Sequence, residues 1–360
     1  MKRFLLPLAL LALVAGEADA QAFPAWSKYR TITINTAATG GGAGVTEANT
    51  NVPILVRLNN LSTAAGANVL SEALAGGADI RFTNGAGDTA YPHQIERWTA
   101  SGADIWVKVP LVAANGNTTL RIYWGNSAAT NASNGPAVFD TTQGYTAVWH
   151  MNGAGSGGLV DELDATGGGL TAAQFNSSGT NAASSDVGGI GYYRILTTDG
   201  STGQGFTTSN VARGAFLNTQ AFTISSWVNP TSVEHTPYPT IISKHDNLWS
   251  LRTNTNVAGP WLFFVGNGGN WPEAQSSEMA VLGQWQHVVG VRSLTPDAMT
   301  IYVNGVMTGT TASPASGGTQ NNTTSIAIGR RSEQADRFWN GAIGELRVES
   351  VARSAARVKL

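Results

Sequence analysis

The sequence predicts an all-β protein built as two β-sandwich domains, and three observations carry that prediction. Charged residues make up only 12% of the 360, about half the usual share, while 43 glycines and abundant Thr, Asn and Ser supply turn formers. Apolar and polar residues alternate in short runs closed by Gly, Pro or Asn, the period-2 signature of half-buried strands. Neither a helix–strand alternation nor a repeat of roughly 20–50 residues is visible, which argues against parallel α/β folds and solenoids. With 42% hydrophobic residues and 11 Trp, the chain has the material for packed cores rather than disorder.

Residues 1–20 read as a signal peptide. Lys2 and Arg3 precede a short apolar run, and Ala18-Asp19-Ala20 offers the small-x-small pattern of a cleavage site. That run is too short to span a bilayer, which takes about 20 apolar residues. The expectation is an exported protein, periplasmic or extracellular, with no membrane insertion within 21–360. The remaining length exceeds what one core usually serves, and the expected domains are 21–143 and 144–360, joined near 140–145. A net charge of −2 gives no electrostatic reason to expect nucleic acid or an anionic membrane as partner. The absence of cysteine excludes thiol catalysis, Cys-ligated zinc, iron–sulfur clusters and a lipid anchor through cysteine.

In the first domain, residues 29–34 (YRTITI) alternate as a strand should, and 52–58 follow, with Pro53 suiting an edge strand. Residues 79–83 end at the Asn84-Gly85 turn, and 105–109 and 120–124 complete the set. Only 64–75 has a helical character, weakened by Gly66. In the second domain the expected strands are 221–228, 248–252, 261–265, 286–292, 299–303, 325–329 and 342–348. Asn304-Gly305 forms a type I′ hairpin turn before Val306-Met307.

These strands carry a resemblance. The second domain resembles the LamG-like jelly-roll modules of the concanavalin A-like lectin/glucanase superfamily. The matching pieces are the run from Phe222 through Trp227 to Val228, then Ile241-Ile242-Ser243-Lys244 with Trp249-Ser250-Leu251, then Trp285-Gln286-His287-Val288-Val289. Ile301-Tyr302-Val303-Asn304-Gly305, Ile326-Ala327-Ile328-Gly329 and the closing run from Phe338 to Val348 follow in order. The first domain is similar to a bacterial domain of unknown function commonly placed before such modules in exported proteins. Its matching residues are Trp26-Ser27-Lys28-Tyr29-Arg30, Asp79-Ile80-Arg81-Phe82, Ile95-Glu96-Arg97-Trp98, Trp106-Val107-Lys108-Val109-Pro110 and Tyr123-Trp124-Gly125-Asn126. Some of those proteins continue into an ExbB/TolQ-like membrane segment, which here would lie beyond Leu360. The resemblance implies a jelly-roll fold and a structural Ca²⁺ held by Asp161 and Glu345. The family's Ile-Asp-Glu reads Ile343-Gly344-Glu345 in this chain, one carboxylate short.

Catalytic chemistry finds little support. A glycosidase needs paired carboxylates flanking the bond, and the nearest match, Glu162 with Asp164, lacks a third acid on the same strand face. Ser156 in Ala154-Gly155-Ser156-Gly157-Gly158 imitates a nucleophile elbow without the strand–helix context that motif needs. His287 reads as a structural histidine within its strand. For binding, sugar rings stack on aromatic faces while Asn, Gln and Glu take the hydroxyls. Trp271, Trp261, Tyr238, Asn270 and Glu273 fall in or beside Gly/Asn/Pro-rich segments, and a loop at 267–275 suits a glycan platform. Trp227 and Trp285, on matched strands, are expected in the core. The function expected is non-catalytic recognition of a glycan or of a cell-surface or periplasmic protein. The alternatives are the periplasmic scaffold part of an ExbB/TolQ-like assembly and a degenerate glycoside hydrolase.

Overall fold

The computed structural model describes residues 21–59, 67–153, 161–176, 183–185, 191–199, 201–216, 219–231, 237–246, 248–256, 258–267, 271–312 and 324–360. The expected signal peptide, the Ser156 segment and Asn270 lie outside the described residues.

Among the described residues strands far outweigh helices. The first domain contains β1 (Lys28–Asn35), β2 (Asn49–Asn59), β3 (Arg81–Asn84), β4 (Ala90–Tyr91), β5 (His93–Trp98), β6 (Gly102–Val112) and β7 (Asn117–Trp124). They form two antiparallel sheets, β1-β7-β3-β4 and β2-β6-β5. Alternation drives the packing: Ile105, Val107 and Val109 of β6 face Phe82, Leu120 and Ile122 across a shared core. Pro53 sits on β2 opposite Lys108, at the edge of its sheet, where a missing N–H breaks no ladder. The helical signal at 64–75 is realised as a short helix, α1 (Ala67–Glu72). A second single-turn helix, α2 (Gly135–Val138), is capped by Asn134.

The second domain contains β8 (Tyr145–Trp149), β9 (Ala172–Asn176), β10 (Ala183–Ser185), β11 (Tyr192–Leu196), β12 (Gln204–Thr208), β13 (Phe222–Pro230), β14 (Thr240–Lys244) and β15 (Trp249–Thr253). It continues with β16 (Pro260–Val265), β17 (Glu273–Met279), β18 (Gln286–Leu294), β19 (Asp297–Val303), β20 (Val306–Ala312), β21 (Ala327–Ile328) and β22 (Gly341–Glu349). One sheet runs β10-β11-β22-β13-β18-β19-β20, with β8 also pairing β22, and the other runs β17-β16-β15-β14-β21-β12-β9. This is the antiparallel two-sheet architecture of the jelly roll. Trp149, Phe222, Ile224, Trp249, Phe263 and Trp339 fill the space between the sheets. At Gly290 a Cβ would stand 2.2 Å from the Phe263 ring, so only glycine lets that ring lie against β18. β9 to β12 and β17 carry weak apolar alternation and have no counterpart among the sequence expectations. The loop expected at 267–275 gives way to β17 from Glu273, because β16 offers an edge that pairs Phe264 with Glu273 and Leu262 with Gln275.

Two features join the domains. Trp106, Val138, Phe139, Tyr145 and Val148 form a small core of their own at the junction. The C-terminal segment, including α3 (Ala355–Val358), then straps the jelly roll to the first domain. Arg357 donates to the carbonyls of Thr50 (3.3 Å) and Asn51 (3.1 Å) and to the Tyr145 hydroxyl (3.1 Å), and Lys359 donates to Gly44 O. Leu360 packs against the first domain's core. Among the described residues no helix is long and apolar enough to cross a membrane.

Candidate functional site

The outer face of the β22–β13–β18 sheet turns toward the first domain. Phe222, Ile224 and Val228 of β13 point into the jelly-roll core, so the alternation sends Trp227 outward. The same phase sends His287 outward on β18, whose Val288 is in the core. Trp227 and Trp285 are therefore half-buried on the outer face, which corrects their expected core placement. Both corrections follow from a period of two that the sequence already displays.

Between this face and the first domain lies a cleft of about 770 Å³. Trp227, Trp285 and His287 form one wall, Trp106 and Leu55 the facing wall, and the Asn304–Val306 turn and Lys359 lie at its margins. Trp227 and His287 stack with ring centroids 5.2 Å apart and planes at 21°, and Trp285 meets Tyr193 edge-on at 5.2 Å. Burial, with the neighbouring Arg347 cation, pushes His287 down to about 4, so its ring is neutral near pH 7.

The floor of the cleft is a buried polar cluster built from both domains. On β22 a register shift against β13 falls between Ser225 and Trp227, and Glu345 takes a left-handed φ of 39°. Such bulges re-aim a side chain, and this one aims Glu345 at His150. His150 Nδ1 lies 2.6 Å from Glu345 Oε2 and 3.7 Å from Glu96 Oε2, while Nε2 lies 3.2 Å from Gln94 Oε1. The two carboxylates on the Nδ1 side favour the protonated ring. Trp106 Nε1 donates to Glu96 at 2.7 Å and Arg347 Nε donates to Glu345 at 2.8 Å. The Arg347 guanidinium lies 4.6 Å from the Trp106 ring centroid. Burial raises Glu96 to about 7, against the pull of the His150 cation. Burial opposes the charge on His150, but Glu345 and Glu96 together raise it. Glu345 is held below the usual carboxylate range because His150 and Arg347 outweigh its burial.

Of the residues expected to hold calcium, Glu345 is in this cluster. Asp161 is exposed, accepts from Gln174 N at 3.2 Å, and is outside the group that gathers around Glu345. Glu96, His150 and Glu345 do bring three ligand atoms within 4.8 Å of one another. Hydrogen bonds from Trp106, His150 and Arg347 already engage both carboxylates, and calcium prefers six to eight oxygens. The donor set as arranged does not fit that ion. At Gly344, where the resemblance implies Asp, a Cβ would stand 3.2 Å from Tyr192 O.

The expected glycan platform is dispersed. Trp271 is 60% exposed. Trp261 is fully buried and stacks on Trp339 at 6.1 Å, because 261, 263 and 265 share the inward phase of β16. It belongs to the core and is not open to a ligand. Tyr238 is half-buried between the guanidinium groups of Arg252 (4.7 Å) and Arg337 (5.3 Å), and Glu273 lies 3.6 Å from Arg252. Glu162 is buried and paired with Arg194. Asp164 accepts from Val148 N, Thr166 N, Thr166 Oγ1 and Leu170 N.

Comparison with known proteins gives two family matches. Residues 199–359 match the concanavalin A-like lectin/glucanases superfamily, and residues 76–151 match a domain of unknown function. Trp227, Trp285, His287, Glu345 and Arg347 fall in the first match, and Glu96, Trp106 and His150 in the second. No curated protein matches the chain. Among solved structures, it is similar to domain 4 of AbnA, an extracellular GH43 arabinanase from Geobacillus stearothermophilus, in complex with arabinotriose. That match has 20% identity, covers 60% of this chain and 97% of the other, and has a TM-score of 0.45. The binding domain of Paraclostridial Mosquitocidal Protein 1 follows at 13% identity, with 60% of this chain, 51% of the other and a TM-score of 0.45. A SAP-like pentraxin from Limulus polyphemus has 20% identity, 39% and 69% coverage, and a TM-score of 0.32.

Proposed function

We propose that this chain, in which a LamG-like concanavalin A-type module follows a domain of unknown function, is an exported, non-catalytic recognition protein that binds a glycan between its two domains. The observation that carries the reading is the cleft whose jelly-roll wall is formed by Trp227 and Trp285. Indole faces bury the apolar faces of sugar rings, and neighbouring polar groups take the hydroxyls. A non-catalytic role is supported by the carboxylates at hand. Glu345 lines the cleft but is held by His150 and Arg347, and Glu162 and Asp164 are committed to Arg194 and to backbone amides. Export is supported by the signal-peptide pattern of residues 1–20.

The test is a glycan array followed by calorimetry on the wild type, Trp227→Ala, Trp285→Ala and Trp271→Ala. Loss of at least about ten-fold in affinity is expected for each cleft variant, with Trp271→Ala unchanged. Loss in Trp271→Ala with full binding in the cleft variants would move the site to the other sheet. No binding by the wild type would favour a protein-binding or scaffold role.

A further inference from the structure

The polar groups around the cleft are unequal in kind. Its charged lining consists of Arg347 and Lys359 against one carboxylate, Glu345, and that carboxylate is already shared between the His150 imidazole and Arg347 Nε. His287 adds no charge near pH 7. A smaller pocket of about 60 Å³ shares Arg347 with the cleft and adds Arg353 and Arg357, with Glu349 bound to Arg353. Across the two pockets the cationic side chains Arg347, Lys359, Arg353 and Arg357 outnumber the carboxylates Glu345 and Glu349.

The unused hydrogen-bonding capacity is also one-sided. Arg347 spends only Nε, and its two terminal nitrogens have no hydrogen-bond partner among the described residues. The indole nitrogens of Trp227 and Trp285 likewise have none there. These are N–H donors, and with the acceptor oxygens of Glu345 taken the neutral His287 ring adds only one acceptor nitrogen. A neutral sugar presents hydroxyls that both donate and accept, and its donors would find few acceptors among these side chains. A carboxylate only accepts, and a guanidinium fork matches it in a bidentate pair.

Position adds the third point. Arg347 pairs with Ser225, and Ser225 is two residues from Trp227 along β13 on the same face. Diagonal neighbours of this kind sit about 7–8 Å apart, the reach from a stacked sugar ring to its exocyclic acid group.

We infer that the cleft takes a carboxylate-bearing glycan, with a uronic acid residue stacked on Trp227 and its carboxylate held by the terminal nitrogens of Arg347. This rests on the cleft being the glycan site, and the test separates the two. The intact two-domain chain is titrated with short oligosaccharides in matched pairs that differ only at C6: galacturonate and galactose, glucuronate and glucose, mannuronate and mannose. At least one acidic member is expected to bind ten-fold or more tighter than its neutral partner at low salt, with the preference shrinking as salt rises. Arg347→Gln should remove the preference and Arg347→Lys should keep part of it, since charge remains but the fork is lost. Arg347 also holds Glu345, so Lys359→Gln, outside the cluster, provides a second variant, expected to weaken the acidic member more than its neutral partner. Neutral members binding as tightly as acidic ones would overturn the uronate assignment and leave the glycan cleft standing. Failure of every pair on the folded wild type would overturn both.

Discussion

The two outer faces of the jelly roll use the same residue types to opposite ends. On the face of β22, β13 and β18, Trp227 and Trp285 stand at the wall of a cleft with their indole nitrogens unspent. On the face of β14 to β17, Tyr238 is clasped by Arg252 and Arg337, Arg252 also covers Phe264 at 5.1 Å and reaches Glu273. An aromatic already bound to two cations has little left to offer a sugar ring. The difference lies in what covers each face. The first domain stands off one face and leaves a gap, while on the other the chain's own arginines close over the rings. An aromatic residue in a Gly/Asn-rich stretch is therefore a poor guide to a binding face until its neighbours are known.

The sharpest contrast lies within ten residues. Trp261→Ala should cost about 3–5 kcal/mol, the usual loss for a buried Trp, read as a lowered denaturation midpoint. A cost below about 1 kcal/mol would show that Trp261 is not in the core. His150→Ala comes next, at about 3–5 kcal/mol or somewhat less, because it leaves Glu345 and Glu96 buried without their cation. The loss should fall on docking of the domains, seen as a melt that separates into two transitions. A single transition at the wild-type temperature would show that the cluster does not hold the domains together.

The third effect is in pH. Glu96 is raised to about 7 by burial, and His150 is raised by its two carboxylates. For both groups the folded state binds the proton more tightly than the unfolded one, so stability is lost as pH rises through their folded values. Glu345 is lowered and acts in the opposite sense, losing stability only as pH falls below the ordinary carboxylate range. Docking should therefore be firmest at mildly acidic pH and weaken from about pH 5 to about pH 8. Glu96→Gln keeps an acceptor for the Trp106 N–H and should flatten that decline in melting temperature. An unaltered slope would remove Glu96 from the account. The smallest effect is Trp271→Ala, expected to change stability by no more than about 0.5 kcal/mol, since the side chain stands in solvent. A larger loss would mean that Trp271 is packed.

Much of the fold was legible because alternation is a local signal. The core of β13 can be read from Phe222, Ile224 and Val228, and the Asn304-Gly305 hairpin from two residues. That same phase, followed one position further, would have turned Trp227 and His287 outward. The cluster was not legible. Glu96, His150 and Glu345 are distant in sequence, and the resemblance that singled out Glu345 joined it to Asp161, not to His150 and Glu96. What unites them is a one-residue bulge at Glu345, which shifts the side-chain phase of β22 and leaves no trace in composition. Tyr238 and Glu273 were unreadable for a related reason, since their fate depends on Arg252 and Arg337 from other segments.

Because one wall of the cleft belongs to each domain, binding at the proposed site and the docking of the domains would form a single linked equilibrium. A ligand in the proposed site that touched both walls would favour the docked state, more so as its free concentration rises above its dissociation constant. Conversely, any condition that lowers the docked fraction weakens the apparent affinity by that fraction, without touching a residue that meets the ligand. The His150 cluster thus tunes occupancy from beneath the site, and the straps at Arg357 and Lys359 do so from its rim.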